Sequence, residues 1–374
     1  MIHGEGQKNL QTIRDTVYYH NIFHRKIQCR YFYDTVNLQE VFMYKTIYDT
    51  LEMTGRVKTA VFLTGTHKGG WCLVRNGNCE SLLADGSSDI WTKYAPDILA
   101  CEDTGILHLE DADIFVEIYV KNPQLVILGG GHVSRPVAKI GKMLGFHITV
   151  MDDRKEFLTK EIFPDADRLI EGAYEEIEEK IPVYENAYYV IVTRGHLGDS
   201  VCAREILKRP YAYLGMIGSR NKVKLTMKKL LEEGFSQKQL DTIHAPIGIP
   251  LGGQMPAEIA VSILAEITRE KNKNQVSYID EAVENAVEAG KHGVMITIVS
   301  KSGSSPRGIG SKMFLDSEGN FYGSIGGGNV EYQALLHAAE SLNGEVVKYN
   351  LSNQGGANLG MICGGTVEVL FQRI

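Results

Sequence analysis

The sequence predicts an α/β protein in which a Rossmann-like parallel-sheet domain is flanked by two related, smaller α/β segments. Three observations carry that prediction. First, an apolar run from Gln124 to Leu128 ends at Gly129-Gly130-Gly131, and a helical pattern follows (Val133, Val137, Ile140, Met143, Leu144). A second apolar run, Phe146 to Met151, then ends at Asp152-Asp153. Strand, glycine turn, helix, strand and acid is the order that a nucleotide-binding βαβ unit requires. Second, two further apolar runs, Tyr188 to Val192 and Tyr211 to Ile217, each end in a polar cluster. The carboxyl ends of parallel strands line the ligand crevice of such a sheet. Third, the stretches on either side share a pattern of helix, glycine and buried strand, at Tyr48 to Thr64 and again at Val283 to Val299. Each closes on an acidic and apolar strand, Phe115-Val116-Glu117-Ile118 and Val367-Glu368-Val369-Leu370.

The chain has 374 residues, enough for two or three domains with cores of their own. Its 39 basic and 46 acidic residues give a net charge of −7, which argues against general nucleic-acid binding. No apolar run reaches the length of a membrane span, and Met1 to Gln11 lacks the apolar core of a signal peptide. The six cysteines (Cys29, Cys72, Cys79, Cys101, Cys202, Cys363) include no C-x-x-C pair. That fits a reducing cytoplasm better than a disulfide framework or a structural zinc site.

Four parts follow in order. Residues 1–37 show no clean period and form a lead of unassigned structure. Residues 38–122 begin with a helical pattern (Val41, Tyr44, Ile47, Tyr48, Leu51) that Gly55 stops. A buried strand from Val57, a hairpin around Asn76-Gly77 and a strand from Ile114 to Val120 come next. Residues 123–272 are the Rossmann-like domain, with helices expected at Val223 to Glu233 and Pro256 to Arg269 before a polar linker at 270–274. Residues 273–374 open with a helix, Ile279 to Ala289, and a strand, Val294 to Val299. A hairpin around Glu318-Gly319-Asn320, a helix running to Leu342 and a last strand, Thr366 to Gln372, complete the pattern.

Two regions carry candidate chemistry. In the βαβ unit, Gly129 makes the tight turn and Gly131 lets the backbone approach a pyrophosphate at the helix N-terminus. Asp152 is placed to accept hydrogen bonds from ribose hydroxyls. The alternative is a Rossmann scaffold serving as a frame. Ser134 replaces the third fingerprint glycine, so helix and strand pack less closely. His196 and His244 stand in polar loops and read as positioning or loop-bonding groups, not metal ligands. In the last segment, two glycine-rich turns, 304–312 and 323–331, offer several N–H groups to one anion. Arg307 and Lys312 add positive charge, and Glu331 opens the following helix. The pattern suits a large, oxygen-rich anionic ligand; the alternative is glycines that serve hairpin geometry alone. The first copy has no counterpart of these turns and reads as a structural copy without the polar site. Cys363 lies in a Cys-Gly-Gly turn, as an accessible sulfur or metal ligand or as a buried structural thiol.

Taken together, these residues resemble the XdhC/CoxI family of accessory factors for xanthine and carbon monoxide dehydrogenases, over nearly all of residues 40–374. The resemblance rests on Gly303-Ser304-Ser305-Pro306-Arg307 with Lys312-Met313, and on Gly323-Ser324-Ile325-Gly326-Gly327-Gly328 with Val330-Glu331. It extends to Gly129-Gly130-Gly131-His132-Val133, Asp152-Asp153-Arg154, Thr193-Arg194-Gly195-His196, Gly218-Ser219-Arg220, His244-Ala245-Pro246 and Gly360-Met361-Ile362-Cys363-Gly364-Gly365. It implies a chaperone that binds molybdenum cofactor, as molybdopterin or its dinucleotide form, and delivers it during or after sulfuration to an apo molybdenum hydroxylase. A cysteine desulfurase as further partner and a homodimer belong to the same implication. So do cofactor-binding roles for Ser304, Ser305, Arg307, Lys312, Gly326, Gly327, Gly328, Asn329 and Glu331. In the Rossmann part, Gly129, Gly131, His132, Asp152, Arg194, His196, Ser219 and Arg220 would bind a nucleotide. Asn329 stands where family members often carry cysteine, which leaves Cys363 as the thiol candidate, for sulfur transfer or a contact to molybdenum. The site-bearing segment also follows the Rossmann part, where the family's usual order puts it first. A different reading is an NAD(P)-dependent oxidoreductase with His196 as its acid or base. A third is a non-catalytic scaffold that docks a dehydrogenase.

Overall fold

The computed structural model describes residues 38–81, 88–184, 186–194, 196–303, 307–350 and 365–374, and within them the side chains of all but 38–42, 88, 89, 196 and 197. Candidates Ser304, Ser305 and Cys363 lie outside the described residues. The chain forms two compact units. One joins the described residues up to Tyr119 with Gln275–Ile374; the other is Val120–Asn274. The two flanking segments belong to a single unit.

In chain order the first segment runs α1 (Leu38–Thr54), β1 (Arg56–Phe62), β2 (Trp71–Arg75), β3 (Asn78–Ser81), α2 (Ser88–Ala100), β4 (Gly105–His108) and β5 (Asp113–Val120). The central unit follows with β6 (Gln124–Leu128), α3 (Ser134–Met143), β7 (His147–Asp152), β8 (Arg168–Glu171) and β9 (Ala187–Ile191). It continues through α4 (His196–Ile206), β10 (Tyr213–Met216), α5 (Arg220–Glu232), β11 (Ile243–His244) and α6 (Pro256–Lys271). The last segment is β12 (Ser277–Tyr278), α7 (Glu281–Glu288), β13 (Gly293–Ser302), β14 (Lys312–Asp316), β15 (Phe321–Gly323), α8 (Gly328–Ala338), β16 (Glu345–Asn350) and β17 (Thr366–Arg373).

The duplication is visible in the topology. The first segment orders its strands β4-β5-β1-β2-β3, with β12 also on β5, and the last orders its strands β16-β17-β13-β14-β15. Helix, three strands, helix and two strands recur in the same succession. Both sheets are buried on both faces, which is why their central strands read as continuous apolar runs. Val57 and Val61 of β1 join Met295 and Val299 of β13 in one shared core with α1 and α7. Ala60 and Phe62 face the other way onto Trp91 and Tyr94 of α2. Ile296 and Ile298 pack with Ala334 and Leu335 of α8. Alternation at a period of two thus assigns each strand residue to one of two cores.

In the central unit six strands pair in the order β11-β10-β9-β6-β7-β8, all in parallel. Counted from β6 this is the 3-2-1-4-5-6 order of dinucleotide-binding sheets, with its switch point between β6 and β9. Helices α3 and α6 cover one face and α4 and α5 the other. Two sequence boundaries move. Helix α6 runs on through Lys271 into the expected linker. Helix α8 stops at Ala338, four residues early, where the Ser341 hydroxyl donates to the Ala338 carbonyl at 3.0 Å and the chain turns toward β16.

Candidate functional site

The glycine-rich motifs of the last segment meet at one end of its sheet. Ser302 pairs with Thr366, Thr297 with Lys312 and Met313 with Gly323. The loop after β13, the turn after β15 and the entry into β17 therefore share one edge. Arg307 is exposed there, and Thr366 opens β17 three residues after Cys363. At Gly326, Gly327 and Gly328 the backbone takes φ of 124°, 72° and 64°, a left-handed run that side chains rarely tolerate. The turn is braced from within. Glu331 Oε2 accepts from the Gly327 N–H at 2.9 Å and from the Ser324 hydroxyl at 2.8 Å, and Ser324 Oγ accepts from the Gly326 N–H at 3.1 Å. Glu331, expected among the ligand groups, holds the turn together. Exposed Gly328 and Asn329 supply the first N–H groups of α8, which have no partner within the helix and favour an anion.

Lys312 is a correction. Its ammonium lies in the core, where it pairs with Glu117 of β5, and the two side chains are 7% and 3% exposed. Glu117 Oε2 also accepts from the Tyr119 hydroxyl at 2.7 Å, and the ammonium lies 4.9 Å from the Tyr119 ring. Burial pushes the Lys312 pKa down, and Glu117 restores part of it. The lysine binds one copy of the duplicated segment to the other and offers no charge to a ligand. Its partner is 195 residues away in sequence.

At the Rossmann edge, Gly129 sits at the switch point with φ 115°, and a Cβ there would meet the Val192 carbonyl oxygen at 2.5 Å. Gly131 has open space around the same position. The hydroxyl of Ser134, the residue expected to keep helix and strand further apart, donates to the Gly129 carbonyl and so takes part in the turn. Asp152 is a second correction. Its Oδ1 accepts from Arg154 N and Nε, both at 2.9 Å, and its Oδ2 from Gly130 N at 2.6 Å and Arg154 Nη2 at 2.9 Å. Four donors fill a carboxylate's lone pairs, so this buried group braces the glycine turn and has nothing left for a ribose.

Burial raises the Asp152 pKa, but the Arg154 guanidinium and the Gly130 N–H outweigh it, and the net shift is downward. A depressed carboxylate stabilises the fold above its unfolded pKa and loses that contribution as pH falls through the folded value. Stability of the Val120–Asn274 unit is expected to fall as the solution is acidified below the ordinary carboxylate range. Urea unfolding of wild type and Asp152→Asn checks this: the mutant should be less stable at neutral pH and show a shallower acid dependence. Equal slopes would show that Asp152 is not the group responsible.

The other Rossmann candidates are spread along the same edge. His132 and Arg194 are exposed. His196 opens α4. Ser219 caps α5 by accepting from Lys222 N at 3.3 Å, and Arg220 follows it, exposed. His244 stacks on Tyr213, ring centres 4.5 Å apart, with Nδ1 3.5 Å from Glu266. Glu266 also accepts from the Tyr213 hydroxyl and the Gly248 N–H, each at 2.8 Å, and so fastens the loop after β11. The group that sequence reasoning missed is Asp199. This fully buried carboxyl pairs with Lys222 and accepts from Thr193 Oγ1 at 2.5 Å. Burial raises its pKa more than Lys222 and Thr193 lower it. A buried carboxyl paired with a lysine near the switch point suits acid–base chemistry or a bound ligand. Thr193 to Asp199 and Gly218 to Lys222 are the polar clusters that end two of the apolar runs in the sequence, but the pairing of Asp199 with Lys222 was not foreseen. Among the described residues no group of three or more His, Cys, Asp or Glu is placed to hold a metal ion, and no helix is long and apolar enough to cross a membrane.

Two family models match the chain: the XdhC Rossmann domain over residues 125–267, and the XdhC and CoxI family over residues 286–350. Together they cover more than half of it. The uncharacterized protein YqeB of Escherichia coli (strain K12) is 34% identical over 160 residues, 42% of this chain and 29% of that protein. A probable xanthine dehydrogenase subunit of Bacillus subtilis (strain 168) is 28% identical over 171 residues, 45% of this chain and 50% of that one. The chain thus spans half or less of the curated relatives it matches. Among solved structures, a xanthine dehydrogenase from Bacillus halodurans matches with a TM-score of 0.50 at 22% identity, over 64% of this chain and 67% of that chain. That likeness is one of fold.

Proposed function

Since this chain belongs to the XdhC and CoxI family, we propose that it is an accessory factor that holds molybdenum cofactor and passes it to a xanthine-dehydrogenase-type molybdenum hydroxylase. The observation that carries this reading is the left-handed run Gly326 to Gly328 at the head of α8, on the sheet edge it shares with Arg307 and the entry to β17. The turn fits an oxygen-rich anion. Its N–H groups sit at a helix N-terminus, and Ser324 and Glu331 brace it before any ligand arrives. Arg307, Ser304 and Ser305 would hold the phosphate or oxo end of the cofactor, with Cys363 nearest along the chain to the β17 entry. Bound there, the cofactor supplies the molybdenum and its sulfido ligand, while the protein binds, orients and shields it. The Rossmann crevice would take a nucleotide, with Gly131 and the head of α3 facing its phosphates.

The deciding measurement is molybdenum and pterin content of protein purified without oxygen from a cofactor-producing host. Wild type should carry pterin, and Arg307→Ala should lose most of it with unchanged circular dichroism. Pterin absent from both proteins, even after cofactor is added, would sink the carrier reading. The buried Asp199–Lys222 pair favours one other reading, an NAD(P)-dependent oxidoreductase. Titration with NADPH, followed by its fluorescence and oxidation, separates the two.

A further inference from the structure

The first copy of the duplicated segment has its own loop edge. The loop between β1 and β2 and the turn leading into β5 meet there, with the Leu63 N–H donating to the Asp113 carbonyl at 2.8 Å. This edge is the topological counterpart of the one that carries the glycine turns in the last segment. The sequence suggested that the first copy had kept no polar site. Yet the edge borders a half-open pocket of about 570 Å³ lined by Thr64, Thr66, His67, Lys93, Tyr94 and Asp111. That volume is in the range of small-molecule sites.

The chemistry of this cavity differs from that of the glycine turns. Asp111 Oδ2 accepts from Lys93 Nζ at 2.5 Å and from the Tyr94 hydroxyl at 2.8 Å. The two charges offset each other, so the cavity does not select for an anion. A carboxylate has four lone-pair positions, so Asp111 retains capacity for the N–H donors of a ligand. Thr64 Oγ accepts from the Asp113 N–H at 2.8 Å. His67 and Tyr94 both flank Phe62, at centroid distances of 5.7 and 5.2 Å, and form an aromatic wall.

We propose that this cavity is a second binding site, for an uncharged planar nitrogen heterocycle that presents adjacent N–H donors to Asp111 and rests against His67 and Tyr94. The proposal goes beyond the accessory role and does not depend on it. Guanosine is the probe, because its ring N–H and amino group lie side by side. Adenosine, which lacks the ring N–H, is the comparison. Calorimetric titration of the full chain should show saturable guanosine binding, with adenosine weaker by about tenfold or more and Asp111→Asn weakening guanosine by a similar factor. Trp91 packs on Phe62 at 4.5 Å, so guanosine should also change tryptophan fluorescence in the wild type. Asp111 and Lys93 are exposed, and circular dichroism should show Asp111→Asn folded. No saturable guanosine binding to the wild type, equal affinity for adenosine, or binding unchanged in Asp111→Asn would each overturn the proposal.

Discussion

Replacing Glu117 with alanine is expected to destabilise the unit built from the two flanking segments by about 3–5 kcal/mol, the penalty for leaving one member of a buried ion pair alone. The ammonium of Lys312 would stay in a core of Tyr44, Trp71, Phe115, Phe314 and Leu370 with its main partner gone. Glu117→Gln should lose nearly as much, because an amide keeps a bond to Tyr119 but not the charge. The double variant Glu117→Leu, Lys312→Met should recover most of the loss, since burying neither charge avoids desolvating both. The sign with pH is also set. The folded lysine binds its proton less readily than the unfolded one, so stability rises as pH climbs toward the unfolded lysine value near about 10.4. The defect of Glu117→Ala should therefore shrink in alkaline solution. Urea titrations at neutral and alkaline pH read this directly. A loss below about 0.5 kcal/mol in Glu117→Ala, the scale of an ordinary surface substitution, would show that the pair does not hold the copies together.

Gly129→Ala and Gly131→Ala should separate two roles that one fingerprint merges. At Gly129 the new methyl group would lie 2.5 Å from a backbone carbonyl oxygen, and φ is 115°. Neither can relax without shifting β9 from β6. We expect a loss of about 3 kcal/mol or more, from overpacking and left-handed strain together. Gly131 has no atom within 4 Å of the added carbon and no positive φ, so Gly131→Ala should fold within about 0.5 kcal/mol of wild type. Any loss of nucleotide binding in Gly131→Ala then reports contact with the ligand and not damage to the sheet. The checks are thermal unfolding for stability and nucleotide titration for binding. A well-folded Gly129→Ala would contradict the close approach of β6 to β9.

Much of the candidate site was legible because its signals are local. The run Gly326 to Gly328 announces positive φ wherever it stands, since only glycine takes three such residues in succession at little cost. Asp152 at the end of β7 was correctly placed, and its role was misread because the filling of its four acceptor positions depends on where Arg154 folds back. Lys312 was misread for a stronger reason. Its glycine-rich neighbours suggested a ligand, while the partner that takes its charge sits on a strand 195 residues earlier. Asp199 and Lys222 lie on two helices, α4 and α5, with β10 between them; a parallel sheet puts both clusters on one edge, but only the packing of those helices shows that the two side chains pair.

What the sequence determined by itself is the α/β class, the βαβ unit around Gly129 and the duplication on either side of it. Each is written in periods of two and 3.6 and in glycines whose backbone demands are local. Tertiary structure alone decided the order β11-β10-β9-β6-β7-β8, the union of the two copies around one core, and the exchange of charge between Glu117 and Lys312. The cavity beside Asp111 is of the same kind, assembled from β1, α2 and the turn before β5. The physical reason is common to all of these. A side chain's spacing states which face it lies on, but burial and hydrogen bonding depend on which other face arrives there, and that is settled only when distant segments pack.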